Sequence, residues 1–224
     1  MSPEERLARA RARMVEHQLR GRGIRDERVL AAMAELPRER FVPPHLATRA
    51  YDDGALAIGE GQTISQPWLV AAMVALLELR GDERVLEVGT GSGYSAAVLA
   101  RCCREVVTIE RHGALAERAR AVLDELGIAN VEVRHGDGAE GAPDRAPFGG
   151  AVVTASAVDA PPRALFEQLG PGAGLVCPVK RAEGEHLMRF RDGEQEIVAS
   201  VRFVPLVSDE ADGEGASPGG GPAG

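Results

Sequence analysis

The stretch Val85-Leu86-Glu87-Val88-Gly89-Thr90-Gly91-Ser92-Gly93-Tyr94 decides the fold. It predicts a buried strand, Arg84–Val88, running into a glycine-rich turn that opens a helix over Tyr94–Cys102. A second apolar run, Val106-Val107-Thr108-Ile109, then ends in Glu110. A tight glycine turn followed by an acid at the tip of the next strand is how open α/β sheets hold an adenosine-containing ligand. Gly89 and Gly91 are expected to let the backbone turn sharply and approach that ligand, where a Cβ would collide. Glu110 can accept both hydrogen bonds of a ribose diol.

Working outward, strands and helices alternate. The pattern predicts helix Pro67–Leu79 before the central strand, then strand Glu105–Glu110, helix Ala114–Leu126 stopped by Gly127, and strand Val131–His135. Strand Ala151–Ala155, helix Pro162–Leu169 and strand Gly174–Val179 follow, and Glu185–Arg191 with Glu196–Pro205 closes the chain as a hairpin. This order implies an α/β fold with a mostly parallel sheet, helices on both faces and an antiparallel C-terminal edge, with ligands at the carboxyl ends of the first strands. Upstream, Leu7, Met14, Val15 and Leu19 mark a helical face that Gly21 and Gly23 break, and Asp26 caps a second helix over Glu27–Leu36. Residues 41–61 read as irregular. Residues 1–61 therefore form a helical appendage or lid, too short to bury a core of their own. Residues 62–207 form the main domain. Residues 208–224, Gly-, Pro- and acid-rich, are expected to be a disordered tail.

Composition narrows the function classes. The net charge is −8, and half of it lies in Asp209, Glu210, Asp212 and Glu214. That balance argues against a nucleic-acid partner. No apolar run approaches the ~20 residues of a membrane span, and the N-terminus lacks the apolar core of a secretory signal. Cys102, Cys103 and Cys177 have no metal-ligand spacing and suit reduced core thiols. The five histidines, His17, His45, His112, His135 and His186, show no ligand or triad spacing and read as surface or packing residues. A cytoplasmic monomer without metal, nucleic-acid or membrane partner is expected.

The glycine spacing speaks to the ligand. In a dinucleotide site the third glycine of G-x-G-x-x-G would stand at Tyr94, whereas the last glycine here is Gly93. The shorter spacing favours S-adenosylmethionine, and no P-loop string occurs. Asp137, in Gly136-Asp137-Gly138, can take an adenine amine while Gly138 clears space; its alternative role is to form the turn. Glu87, Thr90, Ser92 and Gly93 complete the candidate cofactor segment. Before the first central strand lies Gln62-Thr63-Ile64-Ser65-Gln66-Pro67. Ser65 can cap the helix that starts near Pro67, or offer its hydroxyl to a substrate carboxylate, and the two roles are compatible.

Gly59-Glu60-Gly61-Gln62-Thr63-Ile64-Ser65-Gln66-Pro67 followed by Val85–Tyr94 resembles the protein-L-isoaspartate O-methyltransferase family. So do Met14-Val15-Glu16-His17-Gln18-Leu19, Arg40-Phe41-Val42-Pro43, Gly136-Asp137-Gly138 and Val201-Arg202-Phe203-Val204-Pro205-Leu206. The resemblance implies a class I (Rossmann-like) methyltransferase that uses S-adenosylmethionine to esterify the free carboxylate of isoaspartyl residues in damaged proteins or peptides, starting repair through a succinimide. It implies Ser65 as the active-site serine. It also implies Gln62, Thr63 and Ile64 as the cofactor-and-substrate loop, Gly89, Gly91 and Gly93 as the cofactor turn, Glu110 as the ribose acid, and Asp137-Gly138 on the adenine side. A carboxylate is already ionised at neutral pH, so such a site needs alignment and a dry cleft more than a base.

Departures from the family pattern are Gly149-Gly150 after Phe148, expected to loosen that strand's start, and Lys180, Glu185 and Val207, expected in the substrate half. These leave open a relative that methylates an Asp of a dedicated precursor peptide. A third possibility is a non-catalytic binding module, against which the intact Ser65, Glu110 and Asp137 argue.

Overall fold

The computed structural model describes residues 1–208. The tail expected over 208–224 thus lies outside the described residues, Ser208 excepted.

Ser2 starts helix α1 (Pro3–Arg13) with a reciprocal cap: its hydroxyl accepts the Glu5 N–H, and the Glu5 carboxylate accepts the Ser2 N–H. The chain continues as a π-helical segment over Met14–Leu19 and a 3-10 turn over Arg20–Arg22, which Gly23 ends at φ +94°. Asp26 caps α2 (Glu27–Glu35) through the Arg28 and Val29 N–H groups, as its position before the apolar residues predicts. Leu36 is extended because the following Pro37 excludes helical backbone there. Residues 41–61 are not wholly irregular. They include β1 (Leu56–Gly59), which pairs antiparallel with β2 (Gln62–Ile64). A domain boundary after Gly61 therefore falls inside a hairpin. Helix α3 (Pro67–Ala75) is shorter than predicted, since the chain turns out at Glu78, φ +55°.

The central sheet contains β3 (Arg84–Val88), β4 (Glu105–Glu110), β5 (Val131–His135), β6 (Phe148–Val153), β7 (Ala157–Val158), β8 (Leu169–Arg181), β9 (Gly184–Arg191) and β10 (Glu194–Ser200). Their order is β10-β9-β8-β6-β3-β4-β5, with β7 beside β8. Pairings among β3, β4, β5, β6 and β8 are parallel, and β8-β9-β10 is antiparallel. The interleaved helices are α4 (Tyr94–Cys102), α5 (Gly113–Glu125) and α6 (Arg163–Glu167).

Successive side chains of β3 enter different cores, as strand geometry requires. Val85 joins the cluster that includes Leu30, Met73 and Leu99, while Leu86 and Val88 join the one around Phe148 and Leu165. Both faces are thus covered, which explains the continuous apolar character of β3 and β4. Met14, Leu19 and Val29 belong to the first cluster, so the N-terminal residues share the main core.

Other predicted boundaries move as well. β6 begins at Phe148, not Ala151; a Cβ on Gly149 would lie 2.7 Å from Glu83, so the glycines admit close packing and do not loosen the strand. Predicted helix Pro162–Leu169 shortens to α6 because Leu169 pairs with Phe148 and starts β8, well before Gly174. Helix Ala114–Leu126 shifts by one residue to Gly113–Glu125. The last strand stops at Ser200, not Pro205. Beyond it the Val201 and Phe203 N–H groups are drawn to the Glu185 carbonyl and carboxylate.

Candidate active site

Two clefts open at the carboxyl end of the parallel strands, where the sheet order reverses around β3. The turn after β3 builds the first. The Gly89 N–H donates to the Ile109 carbonyl at 2.8 Å, and the Thr154 hydroxyl donates to the Gly89 carbonyl at 2.6 Å. A Cβ on Gly89 would sit 2.3 Å from the Thr154 oxygen, and φ there is +94°. The glycine is therefore demanded by Thr154, a protein side chain, where the sequence suggested a ligand. The Gly91 N–H donates to Glu110 Oε2 at 2.8 Å and the His112 N–H to Oε1 at 2.9 Å. Each carboxylate oxygen keeps a further lone pair for an incoming hydroxyl.

This first cleft has a volume of about 350 Å3. Among the predicted cofactor residues, Gln62, Thr63, Gly89, Gly91, Glu110 and Gly138 line it. Ile64, Glu87, Thr90, Ser92, Gly93 and Asp137 do not. Ile64 is buried in the core. Glu87 lies wholly beneath the turn. The Thr108 hydroxyl donates to its Oε2 at 2.6 Å, and Thr108 meets the Thr90 hydroxyl at 2.7 Å. Burial pushes the Glu87 carboxyl up to about 7, helped by the nearby Glu110 charge and opposed by hydrogen bonds from Ser95 and Thr108. Gly93 starts α4 at φ +86° against Ala119. Ser92 faces a separate groove with Phe41 and Leu115. Asp137 Oδ1 accepts the Ala139 N–H at 2.8 Å and caps the short turn Gly138–Glu140, in keeping with its turn-forming alternative.

Sequence reasoning passed over other lining residues. His112 lines the cleft, with Nε2 at 3.5 Å from Gln62 Nε2, and so is not merely a surface histidine. Val207, expected in the substrate half, lines this smaller cleft.

The second cleft, of about 830 Å3, is lined by Ser65. Ser65 does not cap α3: Gln66 takes that position without a side-chain bond, and Pro67 has no N–H to satisfy. No hydrogen bond of the Ser65 hydroxyl occurs among the described residues. One wall is a braced network in which Asp53 Oδ1 accepts Gln66 Nε2 at 2.6 Å and Arg22 Nη1 at 3.2 Å. Arg22 also stacks 4.9 Å from the Trp68 ring centre. The opposite wall is the strap Val201–Val204, held where the Ser156 N–H donates to the Val204 carbonyl at 2.7 Å and the Phe203 N–H to Glu185 Oε1 at 2.7 Å. The Val-Arg-Phe-Val-Pro-Leu string was the available signal for this strap. Thr63, Thr154 and Val204 line both clefts, so the two meet there.

The residues fit a nucleoside ligand. An acceptor-only carboxylate suits a diol, and Ile109 and Leu206 supply apolar surface for a base; Gly138 also lines the cleft, though its missing Cβ is demanded by Val88, which a Cβ would strike at 2.4 Å. Cys102, Cys103 and Cys177 are buried, with thiols pushed up to about 12, and no cluster of potential metal ligands occurs among the described residues.

Comparison with known proteins is consistent across sequence and structure. A family model for protein-L-isoaspartate(D-aspartate) O-methyltransferase matches residues 9–211. Protein-L-isoaspartate O-methyltransferase 1 of Rhodopseudomonas palustris is 52% identical over 210 residues, covering 91% of this chain and 85% of that one. A protein-L-isoaspartate O-methyltransferase of Anaeromyxobacter dehalogenans is 56% identical over 191 residues, covering 82% and 91%. A solved protein-L-isoaspartate O-methyltransferase superposes with a TM-score of 0.79 at 29% identity, over 89% of this chain and 66% of that chain. A Plasmodium falciparum structure described as such an enzyme, in complex with S-adenosyl-L-homocysteine, gives 0.74 at 23% identity over 88% and 98% and supports the fold.

Proposed function

The chain belongs to the protein-L-isoaspartate O-methyltransferase family, and from that premise we propose how its clefts divide the reaction. The enzyme uses S-adenosylmethionine to methylate the free carboxylate of L-isoaspartyl residues in damaged proteins, initiating repair through a succinimide. In our reading the smaller cleft takes the nucleoside and the larger one the isoaspartyl side chain. The observation that carries this is their meeting at Thr63, Thr154 and Val204.

Glu110 accepts from the ribose hydroxyls while its backbone donors hold it still. Gly138 lines the base side, and Gln62 and Thr63 close the cleft from the hairpin side. Ser65 donates its hydroxyl to the substrate carboxylate and orients it. S-adenosylmethionine supplies, when bound, a methyl group on a cationic sulfur that an ionised carboxylate attacks. No protein base is required, because the carboxylate is already deprotonated at neutral pH. The chain's share is alignment and exclusion of water, with Trp68 and Phe203 as apolar cover.

Residues 1–61 contribute Arg22, Asp53, Gly54 and Ala55 to the larger cleft, which supports reading them as its roof. We further propose a cytoplasmic monomer without nucleic-acid or membrane partners. The acidic balance supports the first exclusion, and no described helix is long and apolar enough to cross a membrane.

Incubation with labelled S-adenosylmethionine and a matched pair of isoaspartyl and aspartyl peptides tests the substrate assignment. Base-labile label on the isoaspartyl peptide is expected. Preferential labelling of the aspartyl peptide would instead indicate a precursor-tailoring enzyme.

A further inference from the structure

Arg38 is 0% exposed, yet no carboxylate pairs with it among the described residues. Burying a cation without a counter-ion is strongly unfavourable unless its donors are met. Here Nε donates to the Ala50 carbonyl at 2.7 Å and Nη2 to the Ser65 carbonyl at 2.7 Å. Its Cζ lies over the ring of Tyr94, 4.7 Å from the ring centre; Tyr94 is itself 1% exposed and packed edge-on against Phe41. Nη1 has no hydrogen-bond partner. Burial pushes the guanidinium down only to about 10, so it remains charged at neutral pH. A core of this size gains little stability from such a group; an apolar side chain of similar volume is often as good or better.

The connections of Arg38 explain what the charge does. Ser65 belongs to the loop between β2 and α3 and Tyr94 is the first residue of α4, directly after the cofactor turn. One rigid planar group therefore touches the segment that carries the substrate-facing hydroxyl and the helix that the cofactor turn opens. Gln66 is braced from the other side by its amide, which donates to Asp53 Oδ1 at 2.6 Å, whereas the Ser65 hydroxyl makes no bond among the described residues and the Ser65 carbonyl accepts from Arg38.

We propose that Arg38 is a positioning residue that sets Ser65 against the cofactor turn, so that the substrate carboxylate is presented to the methyl group. The proposal rests on the assignment of Ser65 to carboxylate orientation. Lysine cannot replace arginine in this role, because its single nitrogen cannot stand at both the Nε and Nη2 positions that reach the Ala50 and Ser65 carbonyls.

The test is a double-mutant cycle of Arg38→Lys and Ser65→Ala, reading kcat with a saturating isoaspartyl peptide and, separately, the Kd of S-adenosylhomocysteine by calorimetry. R38K is expected to lower kcat roughly tenfold or more, as a misplacement near 1 Å does, with cofactor Kd unchanged. In the S65A background the same substitution should have almost no further effect on kcat. Equal losses in both backgrounds, or a cofactor Kd that rises in step with the loss of kcat, would overturn the proposal and leave Arg38 a structural residue. If S65A alone leaves kcat intact, the Ser65 assignment itself fails, a distinct outcome. Should R38K not fold, Tyr94→Leu, which removes the stacking face and keeps the arginine, carries the same cycle with the same expected non-additivity.

Discussion

Three side chains in and beneath the site make different demands. Ser65→Ala should lower kcat roughly tenfold to a hundredfold while leaving cofactor affinity alone, because it removes orientation and not binding; steady-state kinetics and calorimetry separate the two. Glu110→Ala should do the reverse. It removes an acceptor for the ribose and strands the Gly91 and His112 N–H groups, so cofactor affinity should fall by about 1.5–3 kcal/mol, together with Tm. An unchanged cofactor Kd in E110A would refute the ribose assignment. Glu87 acts through the fold. Its carboxyl titrates at about 7 in the native state, against 4.5 for an ordinary glutamate. A carboxyl whose folded pKa is raised binds more protons native than unfolded between those values, so its contribution to stability is complete below 4.5 and is lost as pH rises through about 7. Glu87→Gln should therefore flatten the fall in Tm across that window, a difference that paired thermal melts of wild type and variant would show.

At the scale of elements, the strand–turn–helix from β3 into α4 was legible because its signals are local: an apolar run, then glycines at positive φ. The acid ending β4 was legible for the same reason. The hairpin β1–β2 was not, since strands this short carry no clear alternation and their pairing depends on residues such as Leu56 and Ile64 finding the core. The strap after β10 reads as a continuation of the strand because its conformation is set by Ser156 and Glu185, far away in sequence. The difference between a ligand-cradling glycine and one demanded by Thr154 is likewise visible only in three dimensions. Gly89→Ala should accordingly displace Thr154 and lower stability by about 1–3 kcal/mol, with weakened cofactor binding, as melts and calorimetry would reveal. Glu185→Ala should free the Phe203 N–H and loosen the strap, raising peptide KM more than it changes Tm; a fall in Tm with unchanged KM would show that the strap does not shape the substrate cleft.

For the molecule as a whole, the parallel sheet and its reversal around β3 bring segments from every third of the chain to one edge. Gln62 and Ser65 come from the hairpin and the loop after it, Glu110 and Gly138 from the strand ends, and Val204 from the strap. The N-terminal residues share the core of the sheet's helices, so the roof over the larger cleft is built into the same body. Such a molecule aligns two reactants by holding them in adjoining clefts, with Thr63, Thr154 and Val204 at the join. The most direct test is a crystal structure of the chain with S-adenosylhomocysteine and an isoaspartyl peptide. The account predicts the ribose on Glu110 and the free carboxylate beside Ser65, with the sulfur directed at it across that join. A peptide seated elsewhere, or a cofactor that leaves Glu110 untouched, would contradict it.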